Sequence, residues 1–363
     1  MELVNSTPLA AASNLSQGFV PSHERFLVVT AKATFAFDQS GHIELDSQNP
    51  FPLFPKDIPT PLGLLPTDSL PRADPVFEVI LLGKAYAPKG REVQYRRVTL
   101  AVGSIRREID VFGDRVWIRR EAFSQPMPFA EMPLQYERAF GGSVDVLVDE
   151  KSKFRVADPS NSLGRGFDVQ TYMKGLGESL RAPPGYPKLG NYVRHLPNLE
   201  DPRMPIRRWE DAPTPVGWAT VPPTIGLRMK WVMDRIQAKQ PFTEEEVVAH
   251  AYHRAHPDWI IPVPPPSAEV EMIGVLPCEK VTFRLPRLRP VIDILNGPST
   301  HISPLVPQML VLLPEQWRFY LVYRTVVSFV VRPHEDRGLR LRTEERWSAN
   351  DDGFSRPAFV GRG

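Results

Sequence analysis

The chain has 363 residues, 42% hydrophobic and 24% charged, enough apolar material for one large domain or two ordinary ones. A formal net charge of +2 supplies no global field, which argues against charge-driven binding to nucleic acid or to an anionic membrane. Forty prolines, roughly twice ordinary usage, deny donors to helix interiors and central strands, so helices should be short and connections many.

Residues 1–22 are small and polar and read as a flexible N-terminal arm. Phe26 to Phe37 is rich in β-branched and aromatic residues and ends at the turn signal Asp38-Gln39-Ser40-Gly41, which predicts a strand. A proline-rich connector, Asn49 to Pro75, should wander over the surface. Three more strands are predicted at Val76 to Tyr86, Val93 to Val102 and Glu108 to Ile118, separated by turn residues such as Phe112-Gly113-Asp114. Short strands at this spacing argue for antiparallel layers, as a sandwich or a barrel-like arrangement.

Residues 123–223 carry no sustained period of 2 or 3.6, yet they hold many aromatics, among them Tyr136, Phe140, Phe167, Tyr172, Tyr186, Tyr192, Trp209 and Trp218. That content predicts ordered irregular structure draped on the sheets. Two helices follow. Ile225, Met229, Val232, Met233 and Ile236 share a helical face that Pro241 stops, and Thr243 with Glu246 forms a capping box for a helix running to about Ala255. Beyond the Pro262 to Pro266 connector, β text returns at Glu269 to Val275, Lys280 to Leu285, Met309 to Leu313 and Trp317 to Val331. From Arg332 the charges alternate with few apolar anchors, which predicts a flexible tail over 332–363. The expected organisation is therefore a mainly β main domain over 23–331, with a β-rich part (23–122), an irregular loop hub (123–223), a helical pair (224–256) and a second β-rich part (268–331).

Cys278 is the single cysteine, so no intrachain disulfide can form, as suits a reducing compartment. The first 18 residues lack a basic segment followed by an apolar one, and the run from Phe319 to Val331 is interrupted by Arg324 and too short to span a bilayer. A cytoplasmic protein is expected.

The searches for chemistry return little. His250, His253 and His256 could make a zinc site, but spacing of three turns each ring away from the last and Pro257 disrupts the third position. Glu137, Asp158, Glu200, Asp201 and Asp211 have no spacing that brings two carboxylates together. Gly164-Arg165-Gly166 lacks a dinucleotide loop's third glycine, Gly141-Gly142-Ser143 is not a nucleophile elbow, and Cys278 has no base placed near it by sequence. No catalytic residue, metal or cofactor is predicted.

Three phrases stand out instead: Tyr136-Glu137-Arg138-Ala139-Phe140-Gly141-Gly142-Ser143, Asn161-Ser162-Leu163-Gly164-Arg165-Gly166-Phe167, and Leu196-Pro197-Asn198-Leu199-Glu200-Asp201-Pro202. Each mixes an ion-pairing or amide side chain with glycine or proline, so each fixes a particular backbone path. In order and spacing they resemble a family encoded beside type VI secretion spike genes in Gram-negative bacteria. Val29 to Phe35, Gly83 to Pro88, Gly113 to Trp117, Met132 to Leu134, Pro215 to Trp218 and Leu310 to Arg324 fit the same pattern, so the likeness spans roughly Phe26 to Val331. Ser162 stands where that family more often has proline, and Trp218 where phenylalanine is usual.

The resemblance implies a non-catalytic adaptor or chaperone that binds a PAAR- or Rhs-type effector and helps load it onto the VgrG spike. Its candidate residues are Tyr136, Glu137, Arg138, Phe140, Gly141, Gly142, Asn161, Gly164, Arg165, Gly166, Phe167, Pro197, Asn198, Glu200 and Trp218. They would either anchor the partner, as Tyr, Trp and Arg commonly do, or be buried and brace the loops. Two rival classes stand beside this one: a metal-dependent hydrolase using the three histidines, and a β-sandwich carbohydrate-binding module.

Overall fold

The strand Arg25–Phe37 is buried on both of its faces. Leu27, Val29, Ala31, Ala33, Phe35 and Phe37 form an apolar face, while Thr30, Lys32 and Thr34 on the other face are polar and equally inaccessible. A strand of this kind must lie centrally and be covered twice. In the computed structural model, which describes residues 2–17, 25–68, 76–147, 153–169, 194–243, 247, 252–296, 299–329 and 337–344, it does.

It pairs antiparallel with Arg318–Phe329 on one side and Ala10–Gln17 on the other. The full sheet has seven strands in the order Ile260–Pro262, Val76–Leu81, Val306–Leu313, Arg318–Phe329, Arg25–Phe37 and Ala10–Gln17, with Ile43–Leu45 also pairing to Arg25–Phe37. Val76–Leu81 and Val306–Leu313 run parallel, and the register slips between Pro307 and Met309, where proline cannot donate to the ladder.

A five-stranded sheet covers the apolar face, in the order Leu199–Glu200, Ile105–Phe112, Tyr95–Val102, Glu269–Ile273 and Lys280–Arg284. Phe283 carries the contact between layers: its ring lies 4.9 Å from that of Phe319 and 5.3 Å from that of Phe37. Val98, Leu100, Ile109, Val111, Val270 and Met272 fill the same core. The fold is mainly β and built from several largely antiparallel sheets, with no closed barrel among the described residues.

The Asn49 to Pro75 connector is more than a wandering loop. It holds a hairpin of Ile58–Thr60 and Gly63–Leu65, and over 52–68 it seals the polar face of the central strand. The Lys32 ammonium lies 2.5 Å from Asp68, donates to the Pro52 carbonyl at 2.8 Å, and sits 3.7 Å from the centre of the Phe54 ring. Burial pulls the Lys32 pKa down to about 8 against the attraction of Asp68, and burial pushes the Asp68 carboxyl up. Arg324, which breaks the longest apolar run, is buried here too and donates to the Asp68 carbonyl at 3.2 Å.

Both predicted flexible ends require correction where they are described, over 2–17 and 337–344; residues 18–22, 332–336 and 345–363 lie outside the described residues. Leu3–Asn5 and Arg337–Thr343 pair in parallel and join Pro290–Asn296 and Ser299–Pro304 in a four-stranded sheet, and Ala10–Gln17 edges the large sheet. Each end offers few apolar residues, but Leu339 and Leu341 meet Ile292 and Ile294 once the sheet assembles. Pro290–Asn296 and Ser299–Pro304 were likewise not predicted from the sequence.

The first predicted helix forms as a 3-10 turn at Gly226–Met229 and an α-helix at Lys230–Gln237. Its face is narrower than expected: Ile225, Leu227 and Val232 are buried, whereas Met233 and Ile236 face solvent. Of the second helix, most residues and His250 lie outside the described residues; the Val247 amide donates to the Thr243 carbonyl at 3.2 Å. Tyr172, Tyr186 and Tyr192 also lie outside them. No helix among the described residues is long and apolar enough to cross a membrane.

Candidate functional site

The three phrases fold against one another at the edge of the five-stranded sheet. Tyr136–Arg138 makes one 3-10 turn, after which Phe140–Gly141 runs parallel to Arg165–Gly166, with the Arg165 amide donating to the Ala139 carbonyl and that of Phe167 to Gly141, both at 2.9 Å. The third phrase lies between this pair and the sheet. The Asn198 amide donates to the Arg138 carbonyl at 2.8 Å, and Leu199–Glu200 pairs with Ile105–Phe112.

Asn161 ties the hub together from inside. Its side chain is fully buried, and Nδ2 donates to the Tyr136 carbonyl at 2.8 Å and to the Phe140 carbonyl at 2.9 Å. Its own carbonyl accepts the Gly142 amide at 2.7 Å. Gly141 has φ +137°, and a β-carbon there would lie 2.1 Å from the Asn161 carbonyl oxygen, so this crossing requires glycine. Gly164 is close to the Ala139 and Phe140 carbonyls for the same reason.

Most of the candidate residues are therefore inside. Tyr136, Phe140, Phe167, Pro197, Asn198, Glu200 and Trp218 are buried and offer no side chain to a partner. Tyr136 packs on Gly217, where a β-carbon would meet its ring at 2.9 Å, and the Trp218 carbonyl accepts the Leu81 amide at 2.7 Å. Glu200 forms a buried ion pair with Arg115 and accepts the Ile206 amide at 3.1 Å. Burial raises the Glu200 pKa and lowers that of Arg115, each opposed by the other's charge.

Three members present a side chain to solvent, Glu137, Arg138 and Arg165, while Gly164 and Gly166 are half-buried backbone. The two arginines converge on Asp114. Arg165 Nη1 lies 3.1 Å and Arg138 Nη1 3.4 Å from Asp114 Oδ1, which also accepts from Asn198 Nδ2 at 2.9 Å. Both arginines share Asn198 Oδ1 as a second acceptor, at 3.2 and 3.4 Å. The hydrogen bond from Asn198, followed by the two guanidiniums, holds the Asp114 carboxyl below its ordinary value. Burial, then repulsion by Arg165, lowers the pKa of Arg138.

Beside this triad opens a cleft of about 440 Å³, lined among others by Asp114, Arg165, Trp117, Asp168, Arg194 and Trp209. Arg194 bonds Asp168 at 3.1 Å and lies 4.3 Å over the Trp209 ring, a stacked and ion-paired guanidinium. Trp117 belongs to a two-stranded hairpin of Trp117–Arg119 and Ala122–Phe123, where Phe123 lies edge-on to it; the next residue on the strand, Ile118, is 70% exposed. Asp114, Trp117, Asp168, Arg194 and Trp209 were not among the predicted site residues. Asp114 and Trp117 do lie in the phrase Gly113 to Trp117 that carried part of the resemblance; the others had no signal of their own.

Of the three histidines of the suggested zinc site, His250 lies outside the described residues and the other two have partners of their own. His256 is buried with both ring nitrogens engaged: Nδ1 accepts the Asp258 amide at 3.0 Å, which leaves Nε2–H to donate to the Pro215 carbonyl at 3.0 Å. His253 is buried 3.7 Å from Glu78, whose carboxylate accepts the Arg254 and Ala255 amides. No three His, Cys, Asp or Glu side chains among the described residues are grouped to hold a metal ion. Asp158 caps a turn through the Ser160 and Asn161 amides, Asp201 bonds Arg203, and Asp211 accepts the Arg207 and Arg208 amides. Cys278 is half-buried, and burial pushes its thiol pKa up.

A family profile described as "Uncharacterized protein conserved in bacteria (DUF2169)" matches residues 22–324. The chain belongs to the DUF2169 family. The matched span contains the hub, the cleft and every strand of the five-stranded sheet, whereas Leu3–Asn5 and Arg337–Thr343 of the four-stranded sheet fall outside it. No curated protein and no solved structure matches the chain.

Proposed function

We propose that this DUF2169 protein is a non-catalytic cytoplasmic adaptor that binds a PAAR- or Rhs-type effector and helps deliver it to the VgrG spike of a type VI secretion system. The three phrases that carry the resemblance support this reading. So does one structural observation: they build a rigid, internally bonded hub whose open side is the cleft between Arg165, Arg194, Trp117 and Trp209. Partly exposed arginine and tryptophan on a braced scaffold are the side chains that interface cores favour. The buried members of the hub hold this surface in place, and the cleft makes the contact.

The test is retrieval of partners by tagged full-length protein from the native bacterium. Recovery of a PAAR- or Rhs-bearing protein, lost in a Trp209→Ala variant that melts like the parent, supports the proposal. Recovery of no such protein, or its undiminished recovery by Trp209→Ala, overturns it.

A further inference from the structure

We propose that the cleft recognises a carboxylate side chain on an acidic segment of the partner protein, which docks on Arg165 and Arg138 next to Trp117. This rests on the adaptor reading for the identity of the partner, and on the geometry of the cleft for its chemistry.

Ion pairing at the cleft is shared unequally. Within pairing distance Arg165 and, beside the lining, Arg138 both meet Asp114, whereas Arg194 has Asp168. Glu137 also attracts Arg138, so Arg165 is the guanidinium whose described carboxylate partner is shared. Among the described residues each of those two guanidiniums bonds through Nη1 only, so Nε and Nη2 of Arg165 remain for the paired contact that a carboxylate makes. Repulsion between the two arginines is among the causes that lower the pKa of Arg138, and a second anion would relieve it.

The guanidiniums are also fixed in place. Arg165 opens one strand of the short parallel ladder, Arg138 ends the 3-10 turn, and Asn198 Oδ1 accepts from both while its Nδ2 is tied to the Phe112 carbonyl at 3.0 Å. Little side-chain order is lost when a ligand arrives. Trp117, edge-on to Phe123, lines the same cleft and gives an apolar surface for residues flanking the acid.

The experiment presents the purified full-length protein to an array of short synthetic peptides in which acidic, neutral and apolar positions are varied. Selection of Asp- or Glu-bearing peptides with apolar neighbours is expected, weakened about tenfold or more by Arg165→Glu, since a charge-assisted paired contact is lost. Asp114→Asn keeps an oxygen for Asn198 and removes the competing charge, so it should raise acidic-peptide binding by about threefold, an exposed-pair magnitude. This second variant keeps the test decisive should Arg165→Glu fail to fold. Binding that ignores peptide charge, an Asp114→Asn variant with equal or weaker binding, or a preference for an oligonucleotide over acidic peptides would each overturn the inference. If an effector is retrieved from cells while the array shows no acidic selection, the adaptor reading stands and this inference fails. Acidic selection with no effector retrieved gives the reverse.

Discussion

Replacing Asn161 by alanine tests whether the hub is braced from within. Among the described residues Asn161 Nδ2 is the donor to the Phe140 carbonyl, so that oxygen becomes a buried, unpaired acceptor in the variant. The Tyr136 carbonyl loses the same donor but keeps the Ala139 amide at 3.2 Å. The Leu163 amide also loses its acceptor, Asn161 Oδ1, at 3.3 Å. One orphaned carbonyl costs about 1–3 kcal/mol and each of the two other lost hydrogen bonds about 1 kcal/mol, so a loss of about 3–5 kcal/mol is expected. At about 1.3 °C per kcal/mol for a chain of this length, that corresponds to a fall in melting temperature of about 4–7 °C by calorimetry.

Asn161→Asp sharpens the test, because it keeps the volume and turns a carboxylate toward two carbonyls. It should be less stable than the alanine variant at neutral pH. The folded carboxyl would then have a pKa above its unfolded value, so the folded state binds the extra proton and stability rises as pH is lowered. An alanine variant melting within about 1 °C of the parent would refute the bracing argument, since that shift corresponds to less than about 1 kcal/mol against the roughly 3–5 kcal/mol expected. So would an aspartate variant no less stable than alanine.

Three further outcomes follow from the structure. Lys32→Met should cost about 3–5 kcal/mol in urea titrations by leaving Asp68 buried without its cation, and adding Asp68→Asn should recover part of the loss. Because burial raises the Asp68 pKa, the single variant should gain stability as pH falls from neutral, and a flat profile would contradict the assignment. Burial lowers the His256 pKa, so the folded state binds fewer protons than the unfolded chain; the histidine's contribution is present above its unfolded value of about 6.5 and is lost below it. His256→Gln should flatten the acid side of the stability profile, and metal analysis of the parent protein should find no stoichiometric zinc. Gly141→Ala should cost about 3 kcal/mol or more, because a β-carbon would lie 2.1 Å from the Asn161 carbonyl oxygen, whereas Gly90→Ala, with φ +67° and open space around it, should cost only about 1–2 kcal/mol. Equal losses in paired melting curves would show that crowding at Gly141 is not what demands glycine.

The strands were legible wherever apolar and β-branched residues run unbroken, as in Arg25–Phe37 and Arg318–Phe329, and the turn residues marked most of their ends. Val76 to Tyr86 read as one strand but breaks into Val76–Leu81 and Lys84–Tyr86, since Gly83 has a β-carbon position only 3.0 Å from Leu81 and close to Pro314. The chain ends read as flexible because three or seven polar-rich residues carry no signal without their partners. Leu3 finds Leu339 only across nearly the whole chain. In the hub, glycine, proline and asparagine announced fixed backbone, but the phrases could not tell an aromatic anchor from a core residue: Tyr136, Phe140 and Trp218 are core, and the accessible charge is at Arg138 and Arg165.

Composition and pattern alone determined that this is a β-rich chain with short helices, because alternation, β-branching and proline density act locally; the middle read as irregular also holds a strand pair, Ser143–Leu147 with Lys153–Ala157. The three phrases were visible for the same reason, since positive-φ glycines and capping amides act over a few residues. Which arginines face solvent, that Asp114 serves two of them, and that Lys32 and Arg324 lie under the 52–68 connector were decided only by tertiary structure. Those facts depend on segments far apart in sequence meeting at one place, where burial and nearby charge set what each side chain can do.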